Sequence, residues 1–257
     1  IVLVTQPDTG AEPAVAPFVR LNREDIAKLD AYRQPLVSME EELEKRLERN
    51  RFEARGDEFL AAEGALAWVC KSYREGGLLH GEGYQHRRNQ SPQLPGFELA
   101  AEHYRQLARL AKTDATPTLE LISDVRYHDE DPNAYNVFAD LPGRDGKAGY
   151  VMAGAHLDSW VASDGAQDNA AGSAVVMEAA RILTKLGLKP KRTIRFALWN
   201  GEEQGLYGSF DYTQRHLVSR PPVEDPERAA LPVYATWNLR WPVTPGPDYD
   251  KVAAYFN

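Results

Sequence analysis

The chain has a single cysteine and no long apolar run, and both features narrow the kind of protein it can be. Cys70 has no second cysteine to pair with, which excludes a framework of intrachain disulfides. Because Cys70 lies in the apolar run at residues 65–70, we expect a buried structural thiol rather than a nucleophile. No apolar run approaches the ~18 residues needed to span a bilayer, so the sequence predicts a soluble protein with no membrane partner.

Basic residues are outnumbered by acidic ones, 30 to 38. The formal net charge is −8 over 257 residues, which argues against a nucleic-acid partner. The length allows one large domain or two ordinary ones. The first residue is Ile1 and a strand-like run follows at once without a leader sequence, so we expect an excised piece of a longer chain.

Polar side chains follow the apolar run at residues 150–155, which is short enough for a buried strand. The first of them are His156 and Asp158. Side chains in extended backbone alternate between two faces, so these two point to the same side. The Asp158 carboxylate is then within reach of the His156 imidazole, an arrangement typical of metal-binding histidines.

A helix and a second strand follow in the sequence. A polar loop at residues 163–167 leads to Asp168, and apolar residues then recur at helical spacing as far as residue 186, so Asp168 lies at a helix entrance. Residues 193–199 alternate and are rich in β-branched and aromatic types, which predicts a strand. Glu202 and Glu203 come just after it.

Strand, helix, strand and helix in this order form a βαβα unit. Its parallel strands put their carboxyl ends at one edge of the sheet, where open α/β sheets keep their sites. The convergent set is His156, Asp158, Asp168, Glu202 and Glu203. Imidazole and carboxylate ligands together suit zinc and, less selectively, manganese or cobalt.

Each of these residues also has a purely structural explanation. His156 alone would be a hydrogen-bonded loop residue, and Asp168 alone would be a helix N-cap. Glu202 and Glu203 alone would be a solvated helix start stabilised by the helix dipole. These explanations do not predict that all four fall at successive strand ends of one unit, so their combination favours a metal site.

The motifs HLDSW, GAQDNAAGSAV and LKPKRTIRFALWNGEEQGLYGS resemble the zinc-dependent exopeptidases that include carboxypeptidase Q and the di-zinc aminopeptidases. The resemblance implies that His156 binds one zinc and that Asp158 holds its ring. It also implies that Asp168 bridges two zinc ions. Of the glutamate pair, Glu202 would be the general base and Glu203 a ligand of the second zinc.

This resemblance implies an activity and a compartment. Two zinc ions would polarise a terminal peptide bond and activate a water molecule, and a carboxylate that binds no metal would transfer its proton. The substrate would be a peptide, attacked as an aminopeptidase or a carboxypeptidase does, in a secreted or periplasmic protein. Glutaminyl cyclases share the architecture with a single zinc, and receptor-like relatives that have lost ligands serve as non-enzymatic binding modules, so both remain alternatives.

The same resemblance implies an α/β fold with a mostly parallel central sheet flanked by helices, incomplete here, at residues 118–257. Residues 1–117 resemble the smaller α+β protease-associated domain, through IVLVTQP, EGALAWV and LPGFELAAEHYRQL. In the family that domain is inserted in the catalytic domain and covers the active-site cleft. The charged segment at residues 22–55 departs from its pattern, and we expect a solvated face, with a homodimer contact as the alternative.

Further elements are predicted from local patterns. Residues 97–112 have helical spacing, residues 118–127 and 133–140 suggest two strands of a hairpin, and residues 251–256 suggest a strand. His80 and His86 lie in a loop-like stretch without periodicity, where solvated side chains are expected.

The resemblance also implies ligands that this chain does not contain. An aspartate would follow the strand at residues 251–256 within a couple of residues, and a histidine would come much later, but the sequence ends at Asn257. His216 is a poor substitute because it lies on a helix that leads away from the strand ends. We therefore expect a chain truncated at both ends, and one that by itself neither holds two zinc ions nor hydrolyses peptides.

Overall fold

The computed structural model describes residues 1–8, 10, 20–29, 38–79, 94–126, 128, 130–161 and 163–257. The chain divides into two units, Ile1–Asp124 and Val125–Asn257. The division falls close to the predicted boundary between residues 117 and 118. The assignment of the first unit to a protease-associated domain stays a prediction.

The first unit contains a parallel sheet and the helices around it. Its elements are β1 (Val2–Leu3), α1 (Arg23–Leu29), α2 (Met39–Ala62), β2 (Trp68–Lys71), β3 (Gly96–Leu99) and α3 (Ala101–Leu110). The strands lie in the order β1, β2, β3, and each neighbouring pair is parallel. Ala101, Tyr104 and Ala108 are buried on one side of α3, and Val69 of β2 is fully buried.

The helix predicted over residues 97–112 is only partly correct. Its first residues form β3, with Phe97 opposite Val69, and the helix begins at Ala101. The four residues of a short strand can fit a helical spacing by chance. Only their pairing with β2 shows that they form a strand and not the first turn of a helix. The apolar spacing was informative from Ala101 onward, where it is long enough to define a buried face.

The charged segment of the first unit is the long helix α2. Ser38 caps its start by accepting a hydrogen bond from the Glu41 amide, while the Glu41 side chain accepts one from the Ser38 amide. Leu43 and Leu47 are its buried residues. Most of the remaining surface of α2 is exposed, as the charge pattern predicted.

The second unit is an α/β sheet. Its elements are β4 (Val137–Leu141), β5 (Tyr150–His156), a π-helical turn (Ala166–Ala171), α4 (Gly172–Lys185), β6 (Thr193–Trp199), α5 (Tyr207–Tyr212), a second π-helical turn (Thr213–Leu217), β7 (Val218–Ser219), α6 (Pro226–Ala229), α7 (Val233–Thr236), a 3-10 turn (Trp237–Leu239), β8 (Thr244–Pro245), a second 3-10 turn (Tyr249–Lys251) and β9 (Val252–Phe256). The main sheet has the order β4, β6, β5, β9. Strand β5 is parallel to β6 and β9, whereas β4 is antiparallel to β6.

The predicted hairpin is wrong. Residues 118–126 form no strand, and β4 pairs with β6 instead of with that segment. The alternating apolar residues there remain in solvent, with Ile122 82% and Val125 66% exposed. A period-two pattern forms a strand only where a sheet buries one of its faces, and here none does.

Two apolar clusters cover the two faces of the sheet. Ala155, Val176 and Phe196 join α4 to β5 and β6 on one face. On the other face, Trp199 of β6 packs with Tyr150, Met152 and Tyr212. Helices therefore lie on both sides of a largely parallel sheet, which confirms the predicted fold class. Among the helices described, none is both long and apolar enough to cross a membrane.

A hydrogen bond crosses the middle of β5. The Trp199 indole donates from Nε1 to the Tyr255 hydroxyl at 2.9 Å, above Gly154. A Cβ atom at residue 154 would lie 2.6 Å from that nitrogen and 3.0 Å from that oxygen. The bond and a side chain at residue 154 are therefore mutually exclusive.

Candidate metal centre

His156 is the last residue of β5, and three contacts fix it. Its ring Nδ1 is 3.0 Å from the Asp158 carbonyl oxygen, and Ser173 Oγ of α4 donates to the His156 carbonyl at 2.8 Å. Because a carbonyl only accepts, Nδ1 carries a proton, and in the neutral ring Nε2 is left with the lone pair. That nitrogen is 2.9 Å from Asp168 Oδ1. The ring is therefore oriented to offer Nε2 as a metal ligand.

Asp168 lies just before α4, in the π-helical turn. The structural explanation for this residue was an N-cap, but Asn169 does the capping, since its Oδ1 accepts from the Gly172 amide at 3.0 Å. The peptide bond between Asp168 and Asn169 is cis. With the cap supplied by its neighbour, the Asp168 carboxylate is 76% exposed and faces His156.

Glu202 and Glu203 follow β6, and Asp158 holds their backbone. The two Asp158 carboxylate oxygens accept from the amides of Glu202 and Glu203 at 3.2 and 3.1 Å. Asp158 Oδ1 is 3.7 Å from His156 Nδ1, beyond hydrogen-bonding range. We predicted that this carboxylate holds the ring, but the Asp158 carbonyl does so. The carboxylate instead joins the loop after β5 to the loop after β6.

The structure brings three of the predicted ligands together. One ligand atom each from His156, Asp168 and Glu203 lies within 4.8 Å of the other two. Tetrahedral metal bonds of ~2 Å would place the ligand atoms about 3.3 Å apart, so a closure of at most about 1.5 Å would complete the coordination. Glu202 is adjacent, with Oε2 3.8 Å from His156 Nε2. An imidazole and two carboxylates at these distances fit a zinc ion.

The carboxylates of this cluster lie close enough to repel one another. Burial raises the pKa of Glu203, and the nearby Asp168 and Glu202 carboxylates raise it further. Burial alone would lower the pKa of His156, but the Asp158 carbonyl, Glu202 and Asp168 outweigh it, so that pKa is raised. A divalent cation would relieve the repulsion between the carboxylates and displace the protons.

Other histidines considered in the sequence lie elsewhere. His216 stacks on Tyr212, with ring centroids 4.5 Å apart, and its Nδ1 is 3.5 Å from Asp248. It is not part of the three-ligand cluster, as expected. His80 and His86 lie outside the described residues.

Residues 136–229 match the sequence model of peptidase family M28. The predicted family resemblance is confirmed. The M28 match contains His156, Asp158, Asp168, Glu202 and Glu203, so every predicted site residue lies within it.

Curated relatives extend the M28 similarity over more of the chain. Carboxypeptidase Q of Xenopus laevis is 30% identical over 206 residues, covering 79% of this chain and 42% of that protein. Leupeptin-inactivating enzyme 1 of Streptomyces exfoliatus is 38% identical over 112 residues, which are 44% of this chain and 24% of that enzyme. The chain thus spans less than half the length of these relatives.

A solved structure is also similar. The peptidase M28 precursor from Shewanella amazonensis SB2B shares 30% identity, with a TM-score of 0.42. The alignment covers 62% of this chain and 36% of that one.

Proposed function

We propose that this protein is a metal-dependent exopeptidase that hydrolyses terminal peptide bonds, with zinc as its metal. The observation that carries the proposal is the meeting of His156, Asp168 and Glu203 within ligand distance at the carboxyl edge of β5 and β6. The M28 match over the same residues, and the similarity to carboxypeptidase Q, support a peptidase rather than another metalloprotein.

In this proposal, His156, Asp168 and Glu203 would hold the metal, and Asp168 would be a ligand to both ions of a pair. Bound zinc supplies Lewis acidity, polarising the scissile carbonyl and lowering the pKa of water. Glu202 is the general base: it takes the proton of the attacking water and delivers it to the leaving amine. Its carboxylate is 34% exposed and adjacent to His156, so it is accessible while remaining next to the reacting groups.

Asp158 has a positioning role in this proposal. By accepting from two consecutive amides it fixes the backbone at Glu202 and Glu203, so one glutamate serves the metal and the other the proton. We also propose a peptide substrate and a secreted or periplasmic location, by analogy with the exopeptidases that the motifs resemble.

A single-metal enzyme of the glutaminyl cyclase type is the second candidate. The observation that favours it is that the same three ligand atoms surround one point, and three protein ligands are what a catalytic zinc normally uses. Metal stoichiometry separates the candidates, since the exopeptidase requires two zinc ions and the cyclase one.

The decisive experiment is made in the full-length protein and compares Glu202→Gln with the unaltered sequence for zinc content and for release of terminal residues from peptides. Hydrolysis is expected to fall by a factor of at least about 10² while zinc content stays the same, because the nearly isosteric amide binds no proton. Glu178→Gln, which alters an exposed glutamate paired with Arg181 on α4, is the matched control.

Two results would contradict these assignments. Hydrolysis retained in Glu202→Gln would show that another group is the base, and zinc lost from it would show that the roles of Glu202 and Glu203 are exchanged. Absence of both zinc binding and release of terminal residues in the full-length protein would support the receptor-like alternative.

A further inference from the structure

The segment from Asn200 to Gly208, which we call the glutamate loop, is closed on itself. Gly208 donates to the Asn200 carbonyl and Tyr207 to the Gly201 carbonyl, both at 2.9 Å. Inside this closure, the Glu202 carbonyl accepts from Gly205 and Leu206. The loop thus leaves β6 and returns to nearly the same point in the first turn of α5.

Its tight course uses backbone conformations that side chains disfavour. Gly201 and Gly205 have φ values of 71° and 131°, and Leu206, which has a side chain, has 62°. A Cβ atom on Gly205 would lie 3.1 Å from the Tyr234 ring of α7. A loop with a non-glycine residue in the left-handed region keeps its shape only if its surroundings hold it.

One side chain from outside the loop holds both of its ends. Asn136, immediately before β4, accepts from the Asn200 amide at 3.0 Å through Oδ1 and donates to the Gly208 carbonyl at 3.0 Å through Nδ2. The antiparallel register that places Val137 opposite Leu198 brings Asn136 to this point. A primary amide is suited to the task because it offers a donor and an acceptor side by side.

We propose that Asn136 is a positioning residue of the metal centre, acting through the glutamate loop on Glu202 and Glu203. The inference rests on the function proposed above for these glutamates. Asp158 fixes the middle of the loop from one side and Asn136 fixes its two ends from the other. Without Asn136 the two ends are joined only by the backbone hydrogen bonds of the closure, so the loop opens more readily and the carboxylates are held less firmly at their distance from His156 and Asp168.

The first test needs no metal. Hydrogen exchange measured by mass spectrometry on Asn136→Ala is expected to show amides of the glutamate loop exchanging about tenfold faster, with β5 and α4 unchanged. Asn133→Ala is the matched control, because Asn133 is exposed and, among the described residues, its side chain donates a local hydrogen bond to Asp131. Unchanged loop exchange, or acceleration spread over the whole second unit, would overturn the proposal.

The second test reads the site itself through Co²⁺ titration, followed by the visible absorption of the bound ion. Asn136→Ala is expected to bind Co²⁺ about tenfold more weakly and with an altered spectrum, as loss of a residue that orients ligands does. Asn136→Asp keeps the acceptor for the Asn200 amide but not the donor for the Gly208 carbonyl. Its affinity for Co²⁺ should lie between those of the unaltered protein and of Asn136→Ala. It also serves as the second variant if Asn136→Ala does not fold.

The two proposals fail in different ways. If the unaltered protein binds no Co²⁺, the proposed function is contradicted, while the exchange experiment still decides whether Asn136 holds the loop. If the unaltered protein binds Co²⁺ and both Asn136 variants bind it equally well with the same spectrum, the proposed function stands and the role of Asn136 is refuted.

Discussion

Both units of the protein place ionisable side chains beyond the carboxyl ends of parallel strands, but only one of them balances the charges. In the first unit, Arg105 donates through both terminal nitrogens to Glu75 and through Nε to Asp8, which also binds Lys71. In the second unit, the Asp168 carboxylate contacts the His156 ring, and the Glu203 carboxylate lies near the like-charged Asp168 and Glu202.

This difference separates a structural cluster from a candidate binding site. Hydrogen bonds from Arg105 lower the pKa of Glu75, so its charged state is stabilised by the fold itself. The pKa of Glu203 is raised, so the fold alone does not stabilise its charge. Carboxylates clustered around a histidine are typical of a cation-binding site, whereas carboxylates paired with arginine and lysine are typical of a structural network.

The largest effect is expected from removing a metal ligand. Asp168→Asn should abolish detectable zinc binding in a calorimetric titration, because an amide is a weaker ligand and cannot bridge two cations. Asp164→Asn, in the same loop but outside the ligand cluster, is the control and should bind as the unaltered protein does. Equal affinity in both variants would remove the contrast between the two units.

A smaller effect, on stability rather than on binding, is expected in the first unit. Arg105→Met should lower the unfolding temperature of this unit by several degrees, because Asp8 and Glu75 lose the cation between them. Arg109→Met, an exposed position on the same helix, should change it little. Calorimetry with and without zinc checks both, and metal binding by the second unit should be unaffected.

The smallest effect is a pH dependence confined to the first unit. The pKa of Asp8 is lowered by Lys71 and Arg105, and that of Glu75 by Arg105. A carboxyl group whose pKa is lowered in the folded state stabilises the fold at pH values above its unfolded-state pKa. This stabilisation is lost as the pH falls, here from about pH 4.5 downward. Hydrogen exchange can measure the stability of this unit as the pH is lowered. In Arg105→Met, that stability should depend less on pH than in the unaltered protein. An unchanged profile would show that the cluster is not the acid-sensitive element.

The sequence predicted the two central strands of the sheet well because β5 and β6 carry buried side chains on both faces. The run at residues 193–199 coincides with β6, and His156 lies at the end of β5 as expected. Parallel strands then determine where polar residues after them meet, so the ligand cluster followed from the strand order alone. The prediction of a strand at residues 118–127 was wrong because no sheet packs against the alternating apolar residues described there.

What the sequence could not supply is the choice between main-chain and side-chain partners. Period-two alternation put the Asp158 carboxylate near the His156 ring, yet the carbonyl of the same residue took that place. The carboxylate went to two amides 44 and 45 residues further along the chain. The Asn169 cap had a visible signal, since asparagine before a helix is a favoured cap, but the adjacent Asp168 competed for the same assignment.

The absence of a side chain at Gly154 makes room for a contact between Trp199 and Tyr255. Any side chain at this residue occupies the space of the bond between Trp199 and Tyr255, which joins β6 to β9 across β5. Replacement of the glycine is therefore tolerable only after the indole has been exchanged for a smaller group. Residues 154, 199 and 255 are therefore coupled, because a side chain at the first excludes the present hydrogen bond between the other two.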